Sequence, residues 1–293
     1  MDEQGCAPWN WEQGCIPQNY GIATADSGPV EAGVLVLSMF GTQFDPVDGR
    51  VKNITTAASK IDGVVIDPGK TFSFNDTVGM RTSANGYVDA PVLLQGRRTD
   101  DLGGGVCQVS STLHAASILG GLVIVERRPH SLVPKYIEPG YDATVAFPAS
   151  CAIAGAPCGK LDLKVKNPFS VAVTIHTRIE DGETPKRRLL VWLEGLEPPF
   201  EVWINKQTEP MGRGGRRWVR SGRVLSPGYV KVVQQADKGY FVRSTALYQK
   251  NGQQVREPFK WFSRYPPVDE VWEVGYSRPS DAGDPWDKGT EQP

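Results

Sequence analysis

Gly103-Gly104-Gly105-Val106-Cys107-Gln108-Val109-Ser110-Ser111-Thr112-Leu113-His114-Ala115-Ala116-Ser117-Ile118-Leu119-Gly120-Gly121 is the stretch on which the reading of this chain turns. Glycines bracket a run of helix-compatible residues, so a helix is expected from about Cys107 to Leu119, stopped by Gly120-Gly121. The continuous apolar run Leu122-Val123-Ile124-Val125 then reads as a buried strand. Three consecutive glycines allow a sharp bend and let a ligand approach the backbone closely.

Upstream, Val34 to Phe40 reads as a strand, and Ile54, Ala57, Ala58 and Ile61 share one face of a helix over Asn53–Ile61 that Gly63 stops. Val64–Ile66 and Thr71–Phe74 read as strands around an Asp67-Pro68-Gly69 turn. Downstream, short strands are expected at Ala143–Phe147, Leu161–Val165, Val171–Thr177 and Leu189–Leu193. Beyond Pro198-Pro199 come strand patterns at Tyr229–Val233, Tyr240–Tyr248 and Val255–Tyr265, with a hairpin signal at Asn251-Gly252. The fold class expected is α+β, a central helix against antiparallel strands, followed by a small all-β domain. Residues 1–30 form an irregular arm, 31–195 the main domain, 198–276 the all-β domain and 277–293 a polar, disordered tail.

The bulk numbers fit a folded chain. Of 293 residues, 40% are hydrophobic and 22% charged, and 32 glycines with 23 prolines favour short strands and tight turns. A formal net charge of −1 gives no footprint for nucleic acid or an anionic membrane surface. The apolar run Gly33–Phe40 is too short to span a bilayer. Met1-Asp2-Glu3-Gln4 lacks the start of a signal peptide, so the protein is either cytosolic or exported by a signal outside these residues.

There are five cysteines. Cys6 with Cys15, and Cys151 with Cys158, have spacings that could close small disulfide loops, which would mean an oxidising compartment and leave Cys107 alone. Four unpaired thiols remain the alternative. A zinc site is the weaker rival, since neither pair has the usual gap and no histidine is near. Nothing in the pattern calls for a metal or a cofactor.

A cysteine at the start of a helix feels the positive end of the helix dipole, which favours its thiolate. Of three histidines, His114 lies two turns further along the same helix and cannot easily reach Cys107, and His176 sits in an alternating strand pattern as a surface side chain. His130 follows the next strand and Asp142 opens the one after it. Nucleophile, base and orienting acid in that order make Cys107, His130 and Asp142 candidates for a Cys-His-Asp site. Gly103, Gly104, Gly105, Gln108, Ser110, Ser111 and Thr112 are candidates for binding, with the Gln108 N–H offered to a developing oxyanion. Each residue also has an ordinary role available: Cys107 as a small core side chain, the glycines as a turn, His130 as a turn residue and Asp142 as a strand-entry hydrogen bonder.

Several blocks resemble the VanW family: Pro68–Asn75, Gly86-Tyr87, Ala90-Pro91-Val92, Gly103–Leu113, Glu126–Ser131, Tyr136 and Asp142–Val145. The likeness covers roughly residues 38 to 180. It implies a cell-envelope or extracellular setting, plausible contact with peptidoglycan or its precursors, and a link to vancomycin resistance; it implies no mechanism. Ser226-Pro227-Gly228, Asn251-Gly252 and Tyr265–Gly275 resemble a G-five module, with fewer glycines than that module usually carries. Two functions are expected to compete: a cysteine-dependent hydrolase or acyl transferase on peptide or amide bonds, and a non-catalytic wall-binding or scaffold protein.

Overall fold

The computed structural model describes residues 35–94, 97–146, 161–181, 185–196, 200–220 and 229–275. In chain order the elements are β1 (Leu35–Phe44), α1 (Asp48–Ile61), β2 (Val64–Ile66), β3 (Thr71–Ser73), α2 (Phe74–Val78), β4 (Asp89–Leu94), β5 (Arg97–Leu102), α3 (Val106–Leu119) and β6 (Val123–Glu126). They continue with β7 (Lys164–Lys166), β8 (Val173–Asp181), β9 (Arg187–Gly195), β10 (Glu201–Arg213), β11 (Arg216–Arg220), β12 (Val230–Gln234), β13 (Lys238–Lys250), β14 (Gln253–Tyr265) and β15 (Glu270–Val274). Two compact units result: the chain up to Gln207 with Val242–Ser263, and Thr208–Phe241 with the residues from Arg264 on.

The α+β expectation, a domain organised on a central helix, is corrected. The described residues are 51% strand and 18% helix, in several mostly antiparallel sheets. The strand content is carried by long strands as well as short ones, β10, β13 and β14 having 13 residues each, while of the three α-helices α2 has only five.

In the first unit, β1-β9-β8-β2 form one sheet with every neighbour antiparallel, and β3-β7-β6 form another. β4 and β5 make a hairpin. Helix α1 begins at Asp48, a turn and a half before the expected start, and buries Ile54, Ala57, Ala58 and Ile61 as their spacing foretold. Its second residue, Gly49, has the Asp89 carbonyl oxygen 2.5 Å from where a Cβ would stand, so a side chain there would push the β4 hairpin away.

Helix α3 matches the expected span to within one residue and is buried almost throughout. Val106, Val109, Leu113 and Ala116 enter one apolar cluster with Ile54, Phe74, Leu189, Val191 and Leu193. Ala115 and Ile118, on the other face, join a second cluster with Ile137, Tyr141, Ala246, Tyr248 and Trp261. A helix packed on both faces must satisfy its polar side chains internally. Thr112 Oγ1 lies 2.8 Å from Thr42 Oγ1, Gln108 Nε2 donates to Thr42 Oγ1 at 2.9 Å, and Ser110 Oγ donates to the Ala143 carbonyl at 2.7 Å.

Those bonds explain a second difference. The strand expected at Ala143–Phe147 is reduced to one bridge, Ala146 to Leu161. Backbone groups that would have paired with a neighbouring strand are taken by α3: Ser111 Oγ accepts from Ala143 N at 2.9 Å, and the Ala143 and Val145 carbonyls accept from Ser110 and Cys107. The segment is extended but held by side chains.

In the second unit β15 is the middle strand, parallel to β11 and antiparallel to β12, with Trp218 and Trp272 packed at 5.3 Å between ring centroids. Among the described residues it consists of strands and their connections.

Candidate functional site

The turn that feeds α3 is built by exclusion. Gly103 and Gly105 have φ of +82° and +110°, in the region that favours glycine. A Cβ on Gly103 would lie 3.1 Å from three carbons of the Arg81 stem, and one on Gly105 would lie 2.9 Å from Ile54 and 3.2 Å from Arg50. At Gly104 it would meet the Ala90 carbonyl oxygen at 2.3 Å. The glycine run therefore makes room for protein, two arginine stems among it.

Cys107 occupies the first turn of α3 and is partly exposed. Its sulfur interacts with the His130 side chain and lies 3.5 Å from the Val145 carbonyl oxygen. The His130 Nδ1 is 2.8 Å from Asp142 Oδ2, which also accepts the His130 backbone N–H at 2.6 Å. With Nδ1 held by the carboxylate, Nε2 is the ring atom left to serve the sulfur. The other carboxylate oxygen receives Arg127 Nη2 at 2.9 Å, and Arg127 Nε donates to the Asp142 carbonyl at 2.6 Å. Side-chain exposure is 10% for His130, 6% for Arg127 and zero for Asp142.

This wiring sets the proton balance. Burial pushes the Asp142 carboxyl up, but the hydrogen bond and charge of His130, with Arg127, bring it down to about 2. Burial pushes the His130 imidazole down, yet its bonds to Asp142 and Cys107 lift it to about 9. Burial pushes the Cys107 thiol up, and the His130 bond and charge, with Arg81, bring it down to about 7. Between about 7 and about 9 the favoured state is a thiolate facing an imidazolium, the form in which cysteine is a strong nucleophile.

The remaining candidates have other placements. Ser110, Ser111 and Thr112 are fully buried and use their hydroxyls inside the fold; Ser111 Oγ donates to the Cys107 carbonyl at 2.7 Å. The Gln108 N–H, offered above to an oxyanion, donates instead to Gly105 O at 2.9 Å, and Val106 N–H donates to Gly103 O at 3.0 Å. That leaves the Cys107 N–H between them without a backbone acceptor among the described residues. His114 does not serve the sulfur: its Nδ1 is 2.7 Å from the Tyr141 carbonyl, and burial plus the Arg127 charge lower it to about 3, so it braces the residue before Asp142 as a neutral ring. His176 is 3.2 Å from Glu194 and stacked on Trp192, away from the site. Cys6, Cys15, Cys151 and Cys158 lie outside the described residues. Among the described residues no group of three or more His, Cys, Asp or Glu side chains could hold a metal ion, and no helix is long and apolar enough to cross a membrane.

Two participants were missed in the sequence. Arg127, not singled out there as a site residue, is a buried partner of Asp142 that also reaches Ser263 Oγ at 2.8 Å. Tyr136 sets its ring edge-on to His130 at 6.4 Å between centroids, with its hydroxyl 3.4 Å from Ser111 Oγ. A signal for a basic partner existed, though not for which one: a carboxylate meant to stay ionised in the interior needs a cation, and Arg127 and Arg128 both lie within three residues of His130.

Fold and site together define a class: a mostly-β domain in which a helix start presents a cysteine to a histidine-carboxylate pair. Residues 49–187 match the family described as VanW like protein, so the chain carries a VanW-family domain over that span. It is 38% identical over 147 residues, 50% of its own length and 45% of the relative's, to the uncharacterized protein YoaR of Bacillus subtilis (strain 168). It is 31% identical over 142 residues, 48% and 50% of the two lengths, to the vancomycin B-type resistance protein VanW of Enterococcus faecalis (strain ATCC 700802 / V583). The chain spans about half the length of these curated relatives. A solved IgA1 protease G5 domain aligns with 28% of this chain and 98% of its own, at 18% identity and a TM-score of 0.18. The G-five resemblance of the tail rests on its sequence.

Proposed function

We propose that this is a cell-envelope protein that breaks or transfers peptide or amide bonds of the wall by cysteine-dependent acyl transfer. The observation that carries the chemistry is His130, held through Nδ1 at 2.8 Å by a fully buried carboxylate and interacting on its other side with the partly exposed Cys107. A histidine used only for packing has no need of both partners. The envelope setting is supported by the family match and by a relative named for vancomycin resistance.

The chemistry follows from the wiring. Cys107 Sγ attacks the scissile carbonyl carbon, forming a C–S bond and moving an electron pair onto the oxygen. In this reading the Cys107 N–H receives that oxygen. When the oxyanion collapses, the C–N bond breaks and His130 gives its proton to the departing amine. Water, or an acceptor amine, then gives a proton to His130 and displaces the thiolate from the thioester. Asp142 keeps the ring in one tautomer throughout, and Arg127 keeps Asp142 ionised.

The test is release of amine from purified peptidoglycan and from its stem peptides. Turnover that disappears in Cys107→Ser and His130→Gln, with both variants folded by circular dichroism, is the expected result. Turnover that survives Cys107→Ser sinks the proposal, and wall binding without turnover in the unaltered protein supports the non-catalytic alternative.

A further inference from the structure

The carboxylate behind His130 sits on a short loop, and that loop leans on a hairpin of the same unit much later in the chain. Gly140 has φ of +97°, and a Cβ there would lie 3.1 Å from Ser244 Oγ and 3.4 Å from Val242, so the loop lies flush against β13. From β14 the indole N–H of Trp261 donates to the Gly140 carbonyl at 2.7 Å. The indole is itself firmly seated: it stacks on Phe259 at 5.2 Å between ring centroids and joins the cluster of Ala115, Ile118 and Tyr141. Trp261 and Ser263 are the buried positions of this stretch of β14, and Lys260 and Phe262 the exposed ones.

Arg127 ties the same strand to the same loop. On the loop side Nε donates to the Asp142 carbonyl at 2.6 Å, and Nη2 donates to Asp142 Oδ1 at 2.9 Å and the Gly140 carbonyl at 3.3 Å. On the strand side Nη1 donates to Ser263 Oγ at 2.8 Å and the Phe262 carbonyl at 3.4 Å. These bonds use every N–H of the guanidinium, and because that group is planar and rigid, fixing one nitrogen fixes where the other two point. Resting on the acyl-transfer function proposed above, we infer that Ser263 and Trp261 are positioning residues for the reaction, which hold the Asp142 carboxylate in line with His130 Nδ1. Ser263 acts through Arg127 and Trp261 through Gly140, and both lie outside the family-matched residues.

The His130 Nδ1–H proton reports on this directly, since it lies in the bond to be aligned and exchanges with water only when that bond opens. In the full chain at neutral pH it should give a slowly exchanging downfield proton resonance. Ser263→Ala should speed its exchange about tenfold and Trp261→Phe about threefold, a bond to a charged donor being the stronger of the two. Ser263→Thr, which keeps the hydroxyl, and Lys260→Ala, on the exposed side of the same strand, should leave the exchange as it was. Unchanged exchange in folded Ser263→Ala and Trp261→Phe overturns the inference and leaves the nucleophile standing. If only one of those variants folds, it decides. If neither folds, the two bonds hold up the domain rather than aim the carboxylate, and the inference is overturned as well. A Cys107 labelling midpoint at or above the free-thiol value of about 8.5 in the unaltered protein overturns acyl transfer instead, whatever the proton does.

Discussion

Replacing His130 with glutamine should move the Cys107 titration upward by more than one pH unit. In the unaltered protein the thiol is brought down to about 7, chiefly by its bond to His130 and by the imidazolium charge, against a burial effect of the opposite sign. Removing the ring removes both and leaves burial opposed by Arg81, which carries the midpoint past the free-thiol value of about 8.5. At pH 7 the thiolate fraction would fall from about one half to about 3%, roughly fifteenfold. The rate at that pH changes less, because a more basic thiolate is a better nucleophile; with a Brønsted slope of about 0.4–0.5, roughly fivefold of the loss is recovered. The measurement is therefore a full rate profile with iodoacetamide from about pH 5 to about pH 10, on both sides of the free-thiol value. Labelling is read by mass spectrometry on the Cys107 peptide, since four other cysteines are present. An unaltered midpoint at or above the free-thiol value, or one that His130→Gln leaves in place, refutes the wiring.

Asp142→Ala strands Arg127 in the interior and should cost about 3–5 kcal/mol, read as a lowered urea midpoint. Gly104→Ala puts a methyl group 2.3 Å from the Ala90 carbonyl oxygen and should cost about 3 kcal/mol by the same measurement, as overpacking against backbone does. Leu113→Ala empties a fully buried position and should cost about 2–5 kcal/mol. Turnover should follow a bell in pH, rising as Cys107 ionises near 7 and falling as His130 loses its proton near 9. Stability has the same upper limit: His130 is raised on folding, so its contribution is full below the unfolded value of about 6.5 and is lost as pH climbs through about 9. Asp142 is depressed on folding, so its contribution is full above about 3.9 and is lost as pH falls through about 2.

Helix α3 was legible because glycines mark both ends and local chemistry decides both. For α1 the apolar period was visible from Ile54 to Ile61, but Gly49 hid the first turns, because its reason is a close approach to a hairpin forty residues away. Cys107, His130 and Asp142 could be picked out by residue type and order along the chain. Arg127 could not be separated from its neighbour Arg128, which is exposed, since only the folded chain shows which guanidinium turns inward. The strand expected from Ala143 misled for a related reason: its sequence is that of a strand, and the backbone of Ala143 and Val145 is bonded by helix side chains that no local pattern announces. The balance of helix and strand went wrong because two clear helices outweighed many weakly marked strands.

Arg127 also reaches far along the chain. It bonds Ser263, and the indole of Trp261 donates to Gly140 at 2.7 Å, so the loop bearing the carboxylate is clamped by residues more than a hundred positions later. The stretch that matches the family ends at 187, before that clamp has been synthesised. A chain delivered in order releases Cys107 early and the clamp late, so the loop that bears Asp142 gains its last bonds only when β14 is in place.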